Sequence, residues 1–199
     1  MQDMQRYEKR ATDAMVAQLS PEGARSVFEL GCGTGRLARQ LLTDELPGSC
    51  RYTAVDVSGT MVAIAAERLA PFAARAEVER TDGSFPLRHR AASFDRFIAT
   101  YVLDLLDEEE LRCALSEAAR LLLPGGLLGI VSLTAGERPL ERAITGVWAR
   151  IQRLSPRTVG GCRPIDPTRY LDAWLWRIRH AETVSSFAIP SAVVVAERR

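Results

Sequence analysis

The sequence has no apolar run long enough to cross a bilayer, few cysteines and no excess of charge of either sign. A membrane-crossing helix needs about 17 apolar residues or more. The longest apolar stretch, Leu121 to Val131, falls short of that and contains Pro124, Gly125 and Gly126, so no membrane insertion is expected. The four cysteines, at 32, 50, 113 and 162, show neither CxxC spacing nor clustering with the two histidines. That pattern argues against a zinc site and a disulfide scaffold and leaves reduced thiols as the expectation, with no metal. With 26 Lys plus Arg against 25 Asp plus Glu, no overall field draws in nucleic acid, and a small-molecule partner is expected instead. The N-terminal stretch Met1-Gln2-Asp3-Met4-Gln5-Arg6 lacks the apolar core and cleavage site of a secretion signal, which makes the cytoplasm the expected compartment. Internal repeats, low-complexity tracts and Ser/Gly linkers are also missing, and 199 residues suit one domain.

What is present is an alternation of short apolar runs with helical patterns, the mark of parallel βαβ units. The runs that read as strands are Ser26 to Leu30, Tyr52 to Asp56, Ala76 to Thr81, Phe94 to Thr100, Leu127 to Leu133, Glu182 to Ile189 and Ala192 to Glu197. Ser58 sits where an N-cap belongs, ahead of a helical stripe of Met61, Val62, Ala65 and Leu69. A second stripe, Leu111, Leu115, Ala118 and Leu122, follows the acidic turn Asp107 to Glu110 and is expected to stop at Pro124-Gly125-Gly126. The last two strands meet at Pro190-Ser191, too short for a crossover, so a hairpin is expected there and with it one reversed strand. Residues 1–20 read as a helix, and residues 135–176, with Trp148, Trp174 and Trp176, read as helices and a loop over the sheet edge. Both segments are candidate caps over a ligand.

The chemistry concentrates in one strand-turn-helix. Val27-Phe28-Glu29-Leu30 runs into Gly31-Cys32-Gly33-Thr34-Gly35 and then into a pattern with Leu37, Ala38, Leu41 and Leu42. Glycines allow the tight turn and let a ligand approach without meeting a Cβ. About 20 residues later, Asp56 ends a strand, where a carboxylate can accept both hydroxyls of a ribose. A nicotinamide dinucleotide site would continue as G-x-G-x-x-G, whose last glycine permits close packing at the helix start; here that position is Arg36. An adenosine ligand without a diphosphate fits better.

Taken together, these motifs resemble those of the class I S-adenosylmethionine-dependent methyltransferases, in the small-molecule group that includes the ubiquinone and menaquinone biosynthesis C-methyltransferases. Glu29 to Gly35 resembles the family's first motif, Asp56-Val57-Ser58 with Met61 its ribose motif, and Thr81-Asp82-Gly83 its adenine motif. Ser93 to Ile98 resembles the fourth strand, and Leu121 to Gly126 the punctuation before the fifth. The resemblance implies an α/β, Rossmann-like, seven-stranded, mostly parallel sheet in the order 3-2-1-4-5-7-6, with the last strand antiparallel. It also implies S-adenosyl-L-methionine as cofactor and a small organic acceptor.

On that resemblance Gly31, Cys32, Gly33 and Gly35 lie under the cofactor's methionine part, and Glu29 orients the loop from behind. Asp56 takes the ribose hydroxyls, Val57 and Met61 pack on the adenine, Asp82 accepts from its amino group, and the Gly83 amide donates to its ring. Methyl transfer needs alignment and dryness more than side-chain chemistry. Tyr101, Asp104 and Tyr7 are weak candidates for a general base, none of them assigned as catalytic, and Arg163 is a candidate contact for an anionic acceptor. A non-catalytic cofactor-binding or partner-binding protein and a nicotinamide-dependent oxidoreductase are the rival readings.

Overall fold

The computed structural model describes residues 2–135, 163–186 and 189–199, without the side chains of residues 2–7 and 186. Seven strands form one sheet: β1 (Ser26–Leu30), β2 (Arg51–Asp56), β3 (Ala76–Arg80), β4 (Phe94–Thr100), β5 (Leu122–Leu133), β6 (Trp176–Ser186) and β7 (Ile189–Arg198). They run in the order β3-β2-β1-β4-β5-β7-β6. Pairings from β3 across to β5 are parallel, while β7 is antiparallel to both of its neighbours. The expected order and the single reversed strand are both present.

The strands at the centre are apolar throughout because both faces are covered. On one face lie α1 (Gln2–Gln18), the short α2 (Arg36–Gln40), which runs on into a π-type turn, and α3 (Gly59–Leu69). Ala11, Met15, Ala38, Leu41, Ala65 and Leu69 pack there against Val27, Ile98, Val131 and Val193. Helix α1 comes so close to β5 that a Cβ on Gly129 would stand 2.8 Å from Met15 Sδ. On the other face α4 (Glu108–Leu121) buries Leu111, Leu115 and Ala118 over Phe28, Phe97 and Leu128. Each buried leucine there contributes roughly 1.5–3 kcal/mol. The caps follow from the sequence: Ser58 Oγ accepts from the Met61 amide at 3.4 Å. Asp107 and Glu110 close a reciprocal capping box, each carboxylate accepting the other's amide at 2.9 Å. Among the described residues no helix is long and apolar enough to cross a membrane.

Three boundaries differ from the sequence expectation. Helix α4 ends at Leu121, and Pro124-Gly125-Gly126 bulges out of β5 instead of stopping the helix: Phe94 pairs with Leu122 and Arg96 with Leu127. Proline disfavours helical backbone at the residue before it, so the chain turns extended earlier. Pro190 and Ser191 lie inside β7, paired with Ser185 and Val184, so the hairpin connection falls at residues 187–188, outside the described residues. Of the segment 135–176, residues 136–162, including Trp148, lie outside the described residues. Its described part runs down the α4 face, where Ile165, Leu171 and Trp176 join the core. Trp174 is 90% exposed and Trp176 pairs with Arg198 at the far end of the sheet, so neither lines a ligand pocket beside the glycine turn.

Candidate functional site

The strand order reverses beside β1, which has β2 on one side and β4 on the other. Such a switch point leaves a crevice at the carboxyl ends of the strands. A cavity of about 530 Å³ opens there, walled by the glycine turn, Asp56, Val57, Gly83, Phe85, Leu87 and four residues of the loop after β4 (Tyr101, Val102, Leu105 and Leu106), with Glu8, Lys9 and Thr12 of α1 along one side. Thus α1 both seats on the sheet and borders the cavity.

The glycine turn is held from β2. Amides of Gly31 and Cys32 both donate to the Val55 carbonyl, at 2.9 and 3.0 Å. Gly31 has φ +71°, and a Cβ there would meet Val102 Cγ2 at 2.6 Å. Gly33, at φ +53°, would meet no protein atom within 4 Å, so its absent side chain leaves ligand space rather than packing space. Asp56 closes the turn: its Oδ2 accepts from the Gly33 amide at 2.8 Å and its Oδ1 from the Ser58 amide at 2.8 Å. Its position at the end of β2, against the cavity, is the one the spacing predicted.

Glu29 also reaches the cavity although its residue is 1% exposed. Tyr52 Oη donates to Glu29 Oε2 at 2.9 Å. Burial, only partly countered by that bond and reinforced by the Asp56 charge, pushes the Glu29 carboxyl up to about 8. The Tyr52 hydroxyl is itself pushed well above its ordinary value, chiefly by burial and then by Glu29. Burial, followed by Glu29 and Asp56, pushes the Cys32 thiol up to about 12, so it lines the cavity as an unreactive small group.

The remaining predicted residues divide. Val57 lines the cavity and is 56% exposed. Gly83 lines it too, at φ +84°, with Val57 Cγ1 3.4 Å from a would-be Cβ. Asp82 Oδ1 accepts from the Ser84 hydroxyl and amide at 2.6 and 3.0 Å, contacts that lower its pKa and close a turn. Asp82, Met61 and Gly35 are not part of the cavity wall; Gly35 instead sits at φ +70° where α2 begins. Tyr101 lines the wall with φ +51°, its hydroxyl 2.9 Å from Ser191 Oγ. Asp104 is fully buried behind the wall; Oδ2 accepts from the Leu133 amide at 3.2 Å while Oδ1 has no hydrogen-bond partner among the described residues. Burial raises the Asp104 carboxyl to about 6. Arg163 donates from Nε to the Leu106 carbonyl and from its amide to the Asp104 carbonyl, tying the chain to this loop. The Tyr7 side chain lies outside the described residues. Among the described residues no three His, Cys, Asp or Glu side chains group as metal ligands.

Sequence reasoning missed five contributors. Tyr52 reads as a strand residue, and nothing in its neighbours announces the bond to Glu29. Val102 and Leu105 read as loop. Glu117 and Arg120 lie on α4, yet Glu117 Oε1 accepts from the Leu87 amide at 2.7 Å while Arg120 donates to the Leu87 carbonyl at 3.1 Å, clamping a cavity-lining residue. Their i, i+3 spacing was the one available signal.

The family model described as a methyltransferase domain matches residues 27–126, half of the chain, from the start of β1 to the bulge in β5. The chain belongs to this family. Similar proteins include a ubiquinone/menaquinone biosynthesis C-methyltransferase of Rhizobium etli, 30% identical over 148 residues, which cover 69% of this chain and 53% of the relative. A malonyl-[acyl-carrier protein] O-methyltransferase of Enterobacter lignolyticus is 30% identical over 133 residues, covering 66% and 48%. The methyltransferase chain thus spans about half the length of the curated relatives it matches. Among solved structures, the magnesium protoporphyrin IX methyltransferase of Synechocystis PCC 6803, crystallised with bound S-adenosylhomocysteine, superposes with a TM-score of 0.75. That match has 20% identity and covers 100% of this chain and 86% of the other. It shows the shared Rossmann-like fold.

Proposed function

We propose that this protein transfers the methyl group of S-adenosylmethionine to a small organic acceptor, releasing S-adenosylhomocysteine. The observation that carries the reading is the open face of Gly33 with the Asp56 carboxylate 2.8 Å from its amide: ligand space and a ribose-directed acid joined in one turn. The residues present fit the cofactor. Gly31, Cys32 and Gly33 would carry its amino-acid part, with Gly35 setting the turn and Glu29 beneath. Both Asp56 oxygens already accept an amide, and each keeps a lone pair for a ribose hydroxyl. The Gly83 amide would meet the adenine edge, with Val57 against one face and Met61 behind it. Asp82 Oδ1 shapes that turn, which leaves Oδ2 for the adenine amino group.

The bound cofactor supplies a methyl already activated by its sulfonium. The chain's part is to align, enclose and exclude water. Phe85, Leu87, Val102, Leu105 and Leu106 give the rest of the cavity an apolar lining, which suits an acceptor with apolar body. Asp104, walled off from the cavity, serves as a loop anchor rather than a base. We read residues 1–199 as one cytoplasmic domain that acts on a free small molecule, with Glu8, Lys9 and Thr12 as the residues of the N-terminal helix that border the cavity. The test is S-adenosylhomocysteine production across a panel of quinone-like, phenolic and carboxylate acceptors. Turnover with one class supports the reading, and cofactor binding with no turnover on any of them favours a non-catalytic binding protein.

A further inference from the structure

Two carboxylates, Glu29 and Asp56, line a single cavity, and they are supported unequally. Asp56 is braced by two backbone N–H groups. Glu29, 1% exposed, has one phenol, from Tyr52, and no ion pair among the described residues. The charged groups around it offer little relief. From β2 it faces Tyr52 and Asp56, and from its own turn Cys32. From α1 come Glu8 and Lys9, the latter's Nζ held by Asp13 at 2.6 Å; Arg36 of α2 sits exposed at the mouth, and Tyr101 follows β4. An acid buried beside a like charge and without a cation holds its proton.

We propose that Glu29 is neutral while the cavity is empty and gives up its proton when the positively charged cofactor settles on the glycine turn, so that cofactor binding releases one proton. This rests on the cofactor reading above. The entering ligand supplies the cation that the protein itself withholds, and the Glu29 proton passes to solvent. The site therefore selects for a cationic ligand: a neutral adenosine compound leaves Glu29 protonated and forgoes that attraction. Glu29 acts as a positioning residue, with no share in the transfer step.

Calorimetric titration with S-adenosylmethionine at about pH 6.5, where an α-amino group is still protonated, in two buffers of different ionisation enthalpy, counts the protons released. The expected count is about one for the wild type and none for Glu29→Gln. Should that variant fold poorly, the wild type alone suffices: its Kd should tighten about tenfold per pH unit between about pH 5.5 and 7.5. Equal enthalpies in both buffers with a flat Kd, from a protein that binds S-adenosylmethionine, would overturn the proton exchange and leave the cofactor reading standing. Absence of binding at every pH would overturn both.

Discussion

Oδ2 of Asp56 and the amide of Gly33 meet at 2.8 Å, joining the end of β2 to the turn that follows β1. One carboxylate thereby shapes the glycine turn and, under the proposed function, is the group that would take the ribose hydroxyls. The site is accordingly sensitive to groups that hold these loops as well as to those that touch ligand.

Gly31→Ala should destabilise the protein by about 2–4 kcal/mol, because the new Cβ suffers both the left-handed backbone and overpacking. It would lie 2.6 Å from Val102 Cγ2. Thermal unfolding should show a drop of roughly 5–15 °C. Adding Val102→Gly should recover part of the loss, since it removes both the Cγ2 contact at 2.6 Å and the Cβ contact at 2.8 Å and leaves φ at +71°. No recovery would mean that the left-handed backbone dominates.

Glu117→Ala should cost about 1–3 kcal/mol in urea unfolding, the penalty for leaving a buried donor unpaired. It strips the Leu87 amide of its partner and frees Arg120 from a 2.6 Å ion pair. The loosened loop carries Phe85 and Gly83, so weaker cofactor binding should accompany the loss. Unchanged binding would show that the clamp serves stability alone.

The pH dependence of stability has a defined sign. Glu29 is raised from 4.5 to about 8 and Asp104 from 3.8 to about 6, each chiefly by burial. Both acids bind a proton more readily folded than unfolded. Their contribution is therefore full below the unfolded values and declines as pH rises, through about 6 for Asp104 and about 8 for Glu29. Without ligand, Glu29→Gln should flatten the decline between pH 6 and 8 and make it shallower below pH 6, where Asp104→Asn makes it shallower as well. Melting temperatures across that range check this; parallel wild-type and variant curves would contradict it.

Much of this was legible in the sequence, for identifiable reasons. Parallel strands buried on both faces leave continuous apolar runs such as Val27 to Leu30, and the Asp56 spacing follows from one βαβ unit. Strand ends were less legible. The expected stop at Pro124 was displaced because pairing between Phe94 and Leu122 captures the chain before the proline. The sequence places the hairpin connection at Pro190-Ser191, yet Pro190, which has no N–H to give, still accepts from the Thr134 amide at 3.1 Å near the end of the ladder. Contacts such as Tyr52 to Glu29 join side chains on neighbouring strands 23 residues apart, and no local pattern records them.

The most direct test of the cofactor assignment is calorimetric titration of the wild type and Asp56→Ala with S-adenosylmethionine and, separately, with NAD. S-adenosylmethionine should bind and its affinity should weaken at least about tenfold in the variant, the worth of a charge-assisted hydrogen bond, with no response to NAD. Binding of NAD with no binding of S-adenosylmethionine would contradict the assignment.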